Sequence, residues 1–267
     1  MSDHTSNHPV VVTGAGSGIG LALVRRLRAG DIPVIAVDRN ECPIEGVWTI
    51  RCDLADPEEI AAAVARITGP ISGVANVAGV PGTAPAATVL AVNALAPRLL
   101  VEGLLDRISS GAAIANVASV AAGRNTQPPE SIAALMAVPD SAGIESWLRE
   151  HPIDGPAAYD TSKRALVDWT RALSGALIPR HIRALSVSPG PIETPILADF
   201  TTSMGAEAIA RSASAVGRHG TPGEVAAVIA FALSPDASWV NGIDILTEGG
   251  LLATRSTSFP ALKGFSQ

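Results

Sequence analysis

Apolar runs and polar breaks alternate along the chain with a regular beat. Val10-Val11-Val12-Thr13 is a β-branched run, Gly14 to Gly20 a glycine-rich turn, and 19–29 an amphipathic stretch. The same sequence of run, break and helical stretch recurs to the end. It predicts strands over 10–13, 33–38, 47–51, 72–76, 112–118, 182–187 and 242–246. It predicts helices over 19–29, 57–67, 88–108, 157–177 and 222–233, with Pro57 in the first turn of the second and Asp56 as its cap. The strands are apolar throughout instead of alternating, which is how parallel strands covered on both faces read. Strand–helix repetition of this kind implies α/β architecture: one doubly wound domain over 1–267, a seven-stranded parallel sheet with helices on both faces.

Two stretches break the rhythm. Between Ile71 and Pro97 no residue is charged, a length that could cross a membrane. Pro81, Pro85, Pro97, Asn76 and Asn93 would break or burden a lipid-facing helix, so a buried strand, a loop and a core helix are expected instead. Residues 124–156 form a proline-rich insertion with short helices over 131–137 and 141–150, the second opening on Asp140-Ser141 with Glu145 beyond. It reads either as a solvated flap or as a substrate wall or oligomer contact.

Composition narrows the choices. With 47% hydrophobic and 16% charged residues in 267, the chain can bury a large core. A net charge of −6 excludes the basic face that nucleic acid needs. Cys42 and Cys52 make neither a disulfide framework nor a zinc motif, so no metal is expected. The polar start, MSDHTSNHP, lacks a secretory pattern and suggests a cytoplasmic protein, with no membrane partner.

The turn Gly14-Ala15-Gly16-Ser17-Gly18-Ile19-Gly20 follows a strand and opens a helix. Glycines at 14, 18 and 20 let the backbone bend sharply and approach a pyrophosphate, while the helix start offers N–H groups and partial positive charge. Asp38 ends the second strand about 20 residues on, where an acid accepts from a ribose 2′-OH and repels a 2′-phosphate. NAD is therefore the expected cofactor, with Arg39 beside Asp38 as the group that could instead accept the phosphate.

Tyr159 is the chain's single tyrosine, and Lys163 lies four residues on, on the same helical face. A free phenol ionises near ~10, too high for a base working at neutral pH. One positive charge at ~4 Å is worth ~4 kcal/mol at an effective dielectric of ~20, roughly three pKa units. Burial acts in the opposite sense, so the lysine charge, together with a nicotinamide ring's, must outweigh it. The alternative is a lysine that snorkels to water.

These motifs together resemble the short-chain dehydrogenase/reductase family, whose fold is Rossmann-type. Thr13-Gly14-x-x-x-Gly18-Ile19-Gly20, Asn76-Val77-Ala78-Gly79, Asn93, Asn116-Val117-Ala118-Ser119, Tyr159-Asp-Thr-Ser-Lys163 and Pro189-Gly190-Pro191-Ile192-Glu193-Thr194 follow the family's order. Val77 stands where the family has a second asparagine. The resemblance implies a catalytic set of Asn93, Ser119, Tyr159 and Lys163. Ser119 would hold the substrate oxygen and Asn93 a relay water behind Lys163; without it, Ser119 reads as a strand-end cap and Asn93 as a helix kink. The resemblance further implies that Gly14, Ser17, Gly18, Ile19, Gly20 and Asp38 hold the dinucleotide, with Tyr159 and Lys163 also touching it. Asp53 and Leu54 would meet the adenine, Asn76 and Gly79 the adenosine ribose, and Ile192 and Thr194 the nicotinamide amide.

The long gap between Ser119 and Tyr159, and the ending Leu246-Thr-Glu-Gly-Gly250, look most like the 3α-hydroxysteroid dehydrogenase/carbonyl reductase branch; coniferyl-alcohol dehydrogenases share that look. The activity so implied is hydride transfer between NAD(H) and a secondary alcohol or ketone on an apolar cyclic, steroid-like or aromatic molecule. A primary aromatic alcohol, and a non-catalytic NAD(H) sensor, stay open as alternatives. Walls at 120–123 and 189–191, the insertion, and a lid over 196–217 with Phe200 and Met204 would enclose the substrate. His151 and His219 near that region read as surface residues. Relatives pair through helices such as 88–108 and 157–177, so a homodimer or homotetramer is implied.

Overall fold

The computed structural model describes residues 8–194, 197, 199 and 206–255. The polar start over 1–7, and Ile196, Phe200 and Met204 of the expected lid, lie outside the described residues. Seven strands form one sheet: β1 (Val10–Thr13), β2 (Val34–Asp38), β3 (Trp48–Arg51), β4 (Ile71–Asn76), β5 (Ile108–Val117), β6 (Arg183–Pro189) and β7 (Asp244–Thr247). Their order is β3-β2-β1-β4-β5-β6-β7, and every pairing is parallel. The chain reverses direction of growth between β1 and β4, the switch point where doubly wound sheets open a crevice at the strand ends.

Burial on both faces explains why the strands do not alternate. Val11, Ile35 and Val37 enter one core, beneath α2 (Pro57–Arg66) and α4 (Ala96–Leu104). Their neighbours Val10, Val12, Val34 and Ala36 enter the other, beneath α1 (Gly18–Ala29) and the helix Pro222–Leu233. Leu23, Leu100 and Leu185 are completely enclosed, each stabilising the fold by about 1.5–3 kcal/mol. Asp56 caps α2, its carboxylate accepting from Glu58 N at 2.8 Å.

The glycine turn folds as its sequence implies. Gly14 and Gly18 sit at φ 68° and 52°, the left-handed region that side chains disfavour. Gly20 is needed for closeness: a Cβ there would stand 2.0 Å from the Gly14 carbonyl oxygen.

The helix expected over 88–108 is broken. It runs as α3 (Ala86–Leu90), a π turn (Ala91–Leu95), α4 and a 3-10 turn (Leu105–Arg107). Pro97 explains the break: it has no N–H to give the Asn93 carbonyl four residues earlier, and its ring crowds that carbonyl. By length and composition the helix Ala86–Arg107 could cross a membrane, but 67% of its most apolar window is buried in this fold. β5 begins at Ile108, four residues before its apolar run, because Ser109, Ser110 and Gly111 interrupt the pattern and the register with β4 shifts there.

The insertion is not a solvated flap. Its helices α5 (Pro129–Ala137) and α6 (Ser141–Glu150) carry Ile132, Leu135, Ile144 and Trp147 into a third core. That core packs against Val89, Leu90 and Ala94 and against Ala158 and Ala165 of α7 (Gly155–Ala176). His151 stacks on Trp147 at 4.5 Å and bonds Ser131 Oγ at 2.9 Å, so it belongs to the insertion's own packing. After β6 come α8 (Ala206–Val216), α9 (Pro222–Leu233), β7 and a 3-10 turn, Ala253–Arg255.

A polar chain runs through the sheet. Asn76 Nδ2 donates to Asn116 Oδ1 at 2.8 Å, Asn116 Nδ2 to Thr170 Oγ1 at 2.8 Å, and Thr170 Oγ1 to the Leu166 carbonyl at 2.6 Å. All three side chains are buried, and Asn76 and Asn116 are register partners on β4 and β5.

Gly20→Ala should cost about 1–3 kcal/mol or more, because neither backbone segment can yield to the added methyl. Urea unfolding would register the loss; a variant as stable as the native chain would contradict the packing described.

Candidate active site

A cleft of about 1020 Å³ opens at the C-terminal ends of β1 to β4. Gly14, Ser17, Gly18, Ile19, Gly20, Asp38, Asp53, Leu54, Gly79 and Thr194 line it, all of them residues singled out in the sequence. The first turn of α1 leaves N–H groups without intrahelical partners at its wall. Ser17 is the N-cap residue, yet its hydroxyl makes no capping bond. Asp38 Oδ2 accepts from Gly16 N at 2.9 Å and Oδ1 from Asn40 N at 2.8 Å, so the carboxylate is held in place. A Cβ on Gly16 would stand 3.2 Å from that carboxylate, close enough that the carboxylate would have to shift by a few tenths of an ångström. A cradle of glycine backbone and helix N-terminus, with a fixed acid at the next strand end, fits a dinucleotide's pyrophosphate and ribose diol.

Two expected cofactor contacts lie elsewhere. Asn76 does not line the cleft; it is buried in the sheet on Asn116, because its position in β4 turns it inward. Ile192 is buried against Gly220 and borders a neighbouring hollow of about 890 Å³ with Pro191, Val216, Arg218 and His219. Tyr159 and Lys163 do not line the cleft as it stands. Sequence reasoning named Thr13 in the motif without a role; its hydroxyl accepts from Val77 N at 3.0 Å and Ala78 N at 3.1 Å and so ties the glycine turn to the end of β4. Its place directly before Gly14 was the available signal. Arg39, Asn40, Cys52 and Thr88 also line the cleft.

Asn93, Ser119, Tyr159 and Lys163 are brought together behind Gly79. A Cβ on Gly79 would lie 3.3 Å from Asn93 Oδ1 and 3.6 Å from Lys163 Nζ. Gly79 itself lines the cleft, so Asn93 and Lys163 adjoin its wall. Lys163 is 4% exposed, donates to the Val117 carbonyl at 2.9 Å and lies 5.6 Å from the Tyr159 ring centroid. It does not snorkel. Asn93 sits in the π turn, its Oδ1 accepting from Val80 N at 2.9 Å and its Nδ2 donating to Val80 O and Ser162 Oγ. Ser119 hydrogen-bonds Tyr159 and also accepts from Ala121 N at 3.2 Å, capping a short 3-10 helix, Val120–Arg124. The cap reading of Ser119 is met, and the same hydroxyl reaches the tyrosine.

At the phenol, burial outweighs the protein's own charges and hydrogen bonds. Desolvation pushes the Tyr159 phenol up to about 12, against the lowering effects of the Ser119 hydrogen bond and the Arg124 charge. Part of the tyrosine's surface stays accessible, yet its ring packs at the edge of the insertion's core. The ammonium faces the Val117 carbonyl, and burial pulls Lys163 itself down to about 8.

Comparison with known proteins supplies a context. Residues 8–131 match the family model described as short chain dehydrogenase, and residues 140–252 the one described as Enoyl-(Acyl carrier protein) reductase. Coniferyl-alcohol dehydrogenase of Pseudomonas sp. (strain HR199 / DSM 7063) is 36% identical over 93% of this chain and 98% of its own length. The 3-alpha-hydroxysteroid dehydrogenase/carbonyl reductase of Comamonas testosteroni is 29% identical over 94% of this chain and 99% of its own. The crystal structure of 3-alpha-hydroxysteroid dehydrogenase from Pseudomonas sp. B-0831 complexed with NADH superposes with a TM-score of 0.80 at 31% identity, over 94% of this chain and all of that one.

The two shifted groups give stability a defined pH dependence. Lys163 ionises at about 8 when folded and near 10.5 when free, so between those values the unfolded chain binds more protons and stability rises with pH. Tyr159 does the reverse: the free phenol ionises near 10 and the folded one at about 12, so stability falls across that window. The stability of cofactor-free Lys163→Met relative to the native chain should be greatest below about pH 8 and decline toward pH 10. Urea unfolding across that range tests it, and a difference independent of pH would refute it.

Proposed function

The chain belongs to the short-chain dehydrogenase family, and on that premise we propose that it interconverts a hydroxyl and a carbonyl on an apolar cyclic, steroid-like or aromatic substrate, using NAD. The observation that carries this reading is one cluster: Ser119 hydrogen-bonds Tyr159, Lys163 lies against the tyrosine ring, and Lys163 and Asn93 adjoin Gly79 of the dinucleotide cleft. When bound, the oxidised nicotinamide supplies the hydride acceptor and a positive charge.

The chain's own residues manage the proton. Tyr159 Oη takes it from the alcohol, or returns it to the carbonyl in reduction. Ser119 holds the reacting oxygen against the phenol. Lys163 provides a fixed positive charge below the ring, and Asn93 holds the backbone of Val80 beside it. Burial alone leaves the phenol a poor base, so positive charge arriving with the cofactor favours the phenolate when it is needed. Gly14, Ser17, Gly18, Ile19 and Gly20 serve the pyrophosphate, Asp53 and Leu54 the adenine, Gly79 the ribose and Thr194 the nicotinamide end. Asp38 supports NAD over NADP, since a held carboxylate repels a 2′-phosphate.

The greater identity to a coniferyl-alcohol dehydrogenase favours a second reading, in which the substrate is a primary aromatic alcohol. Cyclic secondary and cinnamyl-type primary alcohols, each offered NAD⁺ and NADP⁺, separate the two. Turnover with NAD⁺ is expected. Tyr159→Phe should reduce it about 10²–10⁴-fold while NADH binding, followed by fluorescence, persists. Tight NADH binding without turnover on any alcohol would point to the sensor reading instead.

We further propose that the protein pairs with a second copy through the β7 edge and α9. The insertion's helices already cover the N-terminal parts of the helices expected to pair. Phe231, Ile243 and Leu246 are exposed large apolar side chains around the open edge of the sheet, and Trp239 there is 98% exposed. A twofold contact would bury one such patch against its copy and close the unpaired strand edge. Trp239→Glu should therefore shift the protein to monomer in light scattering coupled to gel filtration; an unchanged mass would exclude this surface.

A further inference from the structure

The 3-10 helix Val120–Arg124 makes a grip that the catalytic reading leaves unused. Ser119 at its start hydrogen-bonds Tyr159. Arg124 at its end forks onto Asp160, Nε to Oδ2 at 3.0 Å and Nη2 to Oδ1 at 2.6 Å. Asn125, the next residue, accepts from Thr161 Oγ1 at 3.0 Å and is itself held by Gln127, donating to its carbonyl at 2.8 Å and accepting from its N–H at 3.2 Å. Three consecutive residues of α7 are thus held by one short segment. Consecutive helical positions point about 100° apart, so holding all three fixes the rotation of α7 about its axis as well as its height.

Ordinary surface pairing does not account for this. Arg98–Glu102, Arg164–Asp168 and Arg211–Glu207 join neighbours within one helix, whereas Arg124–Asp160 spans 36 residues and joins two elements. Its carboxylate is only 16% exposed.

We propose that Arg124 and Asp160 are positioning residues for Tyr159: their ion pair locks the Ser119 segment onto the tyrosine's turn of α7 and sets one fixed charge of each sign beside the phenol. This rests on Tyr159 being the acid–base group. The two charges act on the phenol in opposite senses, Arg124 favouring ionisation and Asp160 opposing it. Among the described residues, other charges near the phenol are few. Lys163 lies below the ring. α3, the π turn and β5 bring no titratable side chain, α5 brings only the exposed Glu130, and Arg183 of β6 is bound to the carbonyls of Ala232, Ser234 and Val240.

The test is the pH profile of kcat for alcohol oxidation, whose acid limb reports phenolate formation. Asp160→Asn should move that limb down and Arg124→Gln should move it up, each by about 0.3–1 pH unit given partial exposure to water. The double variant should return near the native limb. Arg124→Lys keeps the charge but loses the fork, so its limb should stay while kcat falls several-fold at little changed KM. A merely structural pair would move both single variants in the same direction, and that result, or limbs that do not move, would overturn the proposal. If no alcohol is turned over by the native protein, the functional reading fails separately. Because Tyr159 is the single tyrosine, the ultraviolet band of tyrosinate still titrates the same phenol in each variant, and opposite shifts there are required as well.

Discussion

A lysine ammonium sealed inside the protein, bonded to the main-chain carbonyl of Val117, governs how this site is built. Taking such a charge out of water is costly unless its surroundings are fixed and polar. Val117 lies at the last position of β5, so the carbonyl is held by the sheet. Asn93 is immobilised on both backbone groups of Val80, in a helix opened by Pro97. Gly79 contributes no side chain, so its backbone can run between the ammonium and the cleft. Each of these is a different way of letting one cation sit close to a cofactor without being exposed to solvent.

Much of this was legible in the chain. β-branched runs and a glycine turn with a known steric logic mark β1, β2 and the start of α1, because burial on both faces leaves no alternation to misread. Asp38 and the Tyr159–Lys163 pair were readable from spacing alone. The π turn was not, because Pro97 competes with a strongly helical apolar pattern, and periodicity does not register a single missing N–H. Asn76 was assigned to the cleft by analogy with a motif, whereas the strand's pleat turns it into the sheet. The net acidity of Tyr159 could not be read. Its acidity depends on how completely the insertion encloses the ring, a long-range packing property to which composition is blind.

The insertion therefore links two matters that look separate. Its core of Ile132, Leu135, Ile144 and Trp147 reaches the edge of Tyr159 and removes water from the phenol. The same helices cover α3 and the start of α7, while Trp239, Ile243 and Leu246 at and before β7 stay exposed. One packed helical pair thus shapes the surroundings of the phenol and covers the helix surfaces beside it.

The amide-to-amide-to-hydroxyl chain of Asn76, Asn116 and Thr170 has a consequence for how the sequence can drift. Asn76 Oδ1 has no bonded partner among the described residues, so each bond along the thread carries its neighbour's pairing. Exchanging any one of the three strands the next, and only a concerted swap to apolar residues of similar volume escapes that penalty. Such a swap would also dissolve the key that lets β5 recognise β4 in one alignment, since a one-residue slip would bury both amides unpaired. Neighbouring core positions can wander one at a time; these three are free to change only as a set.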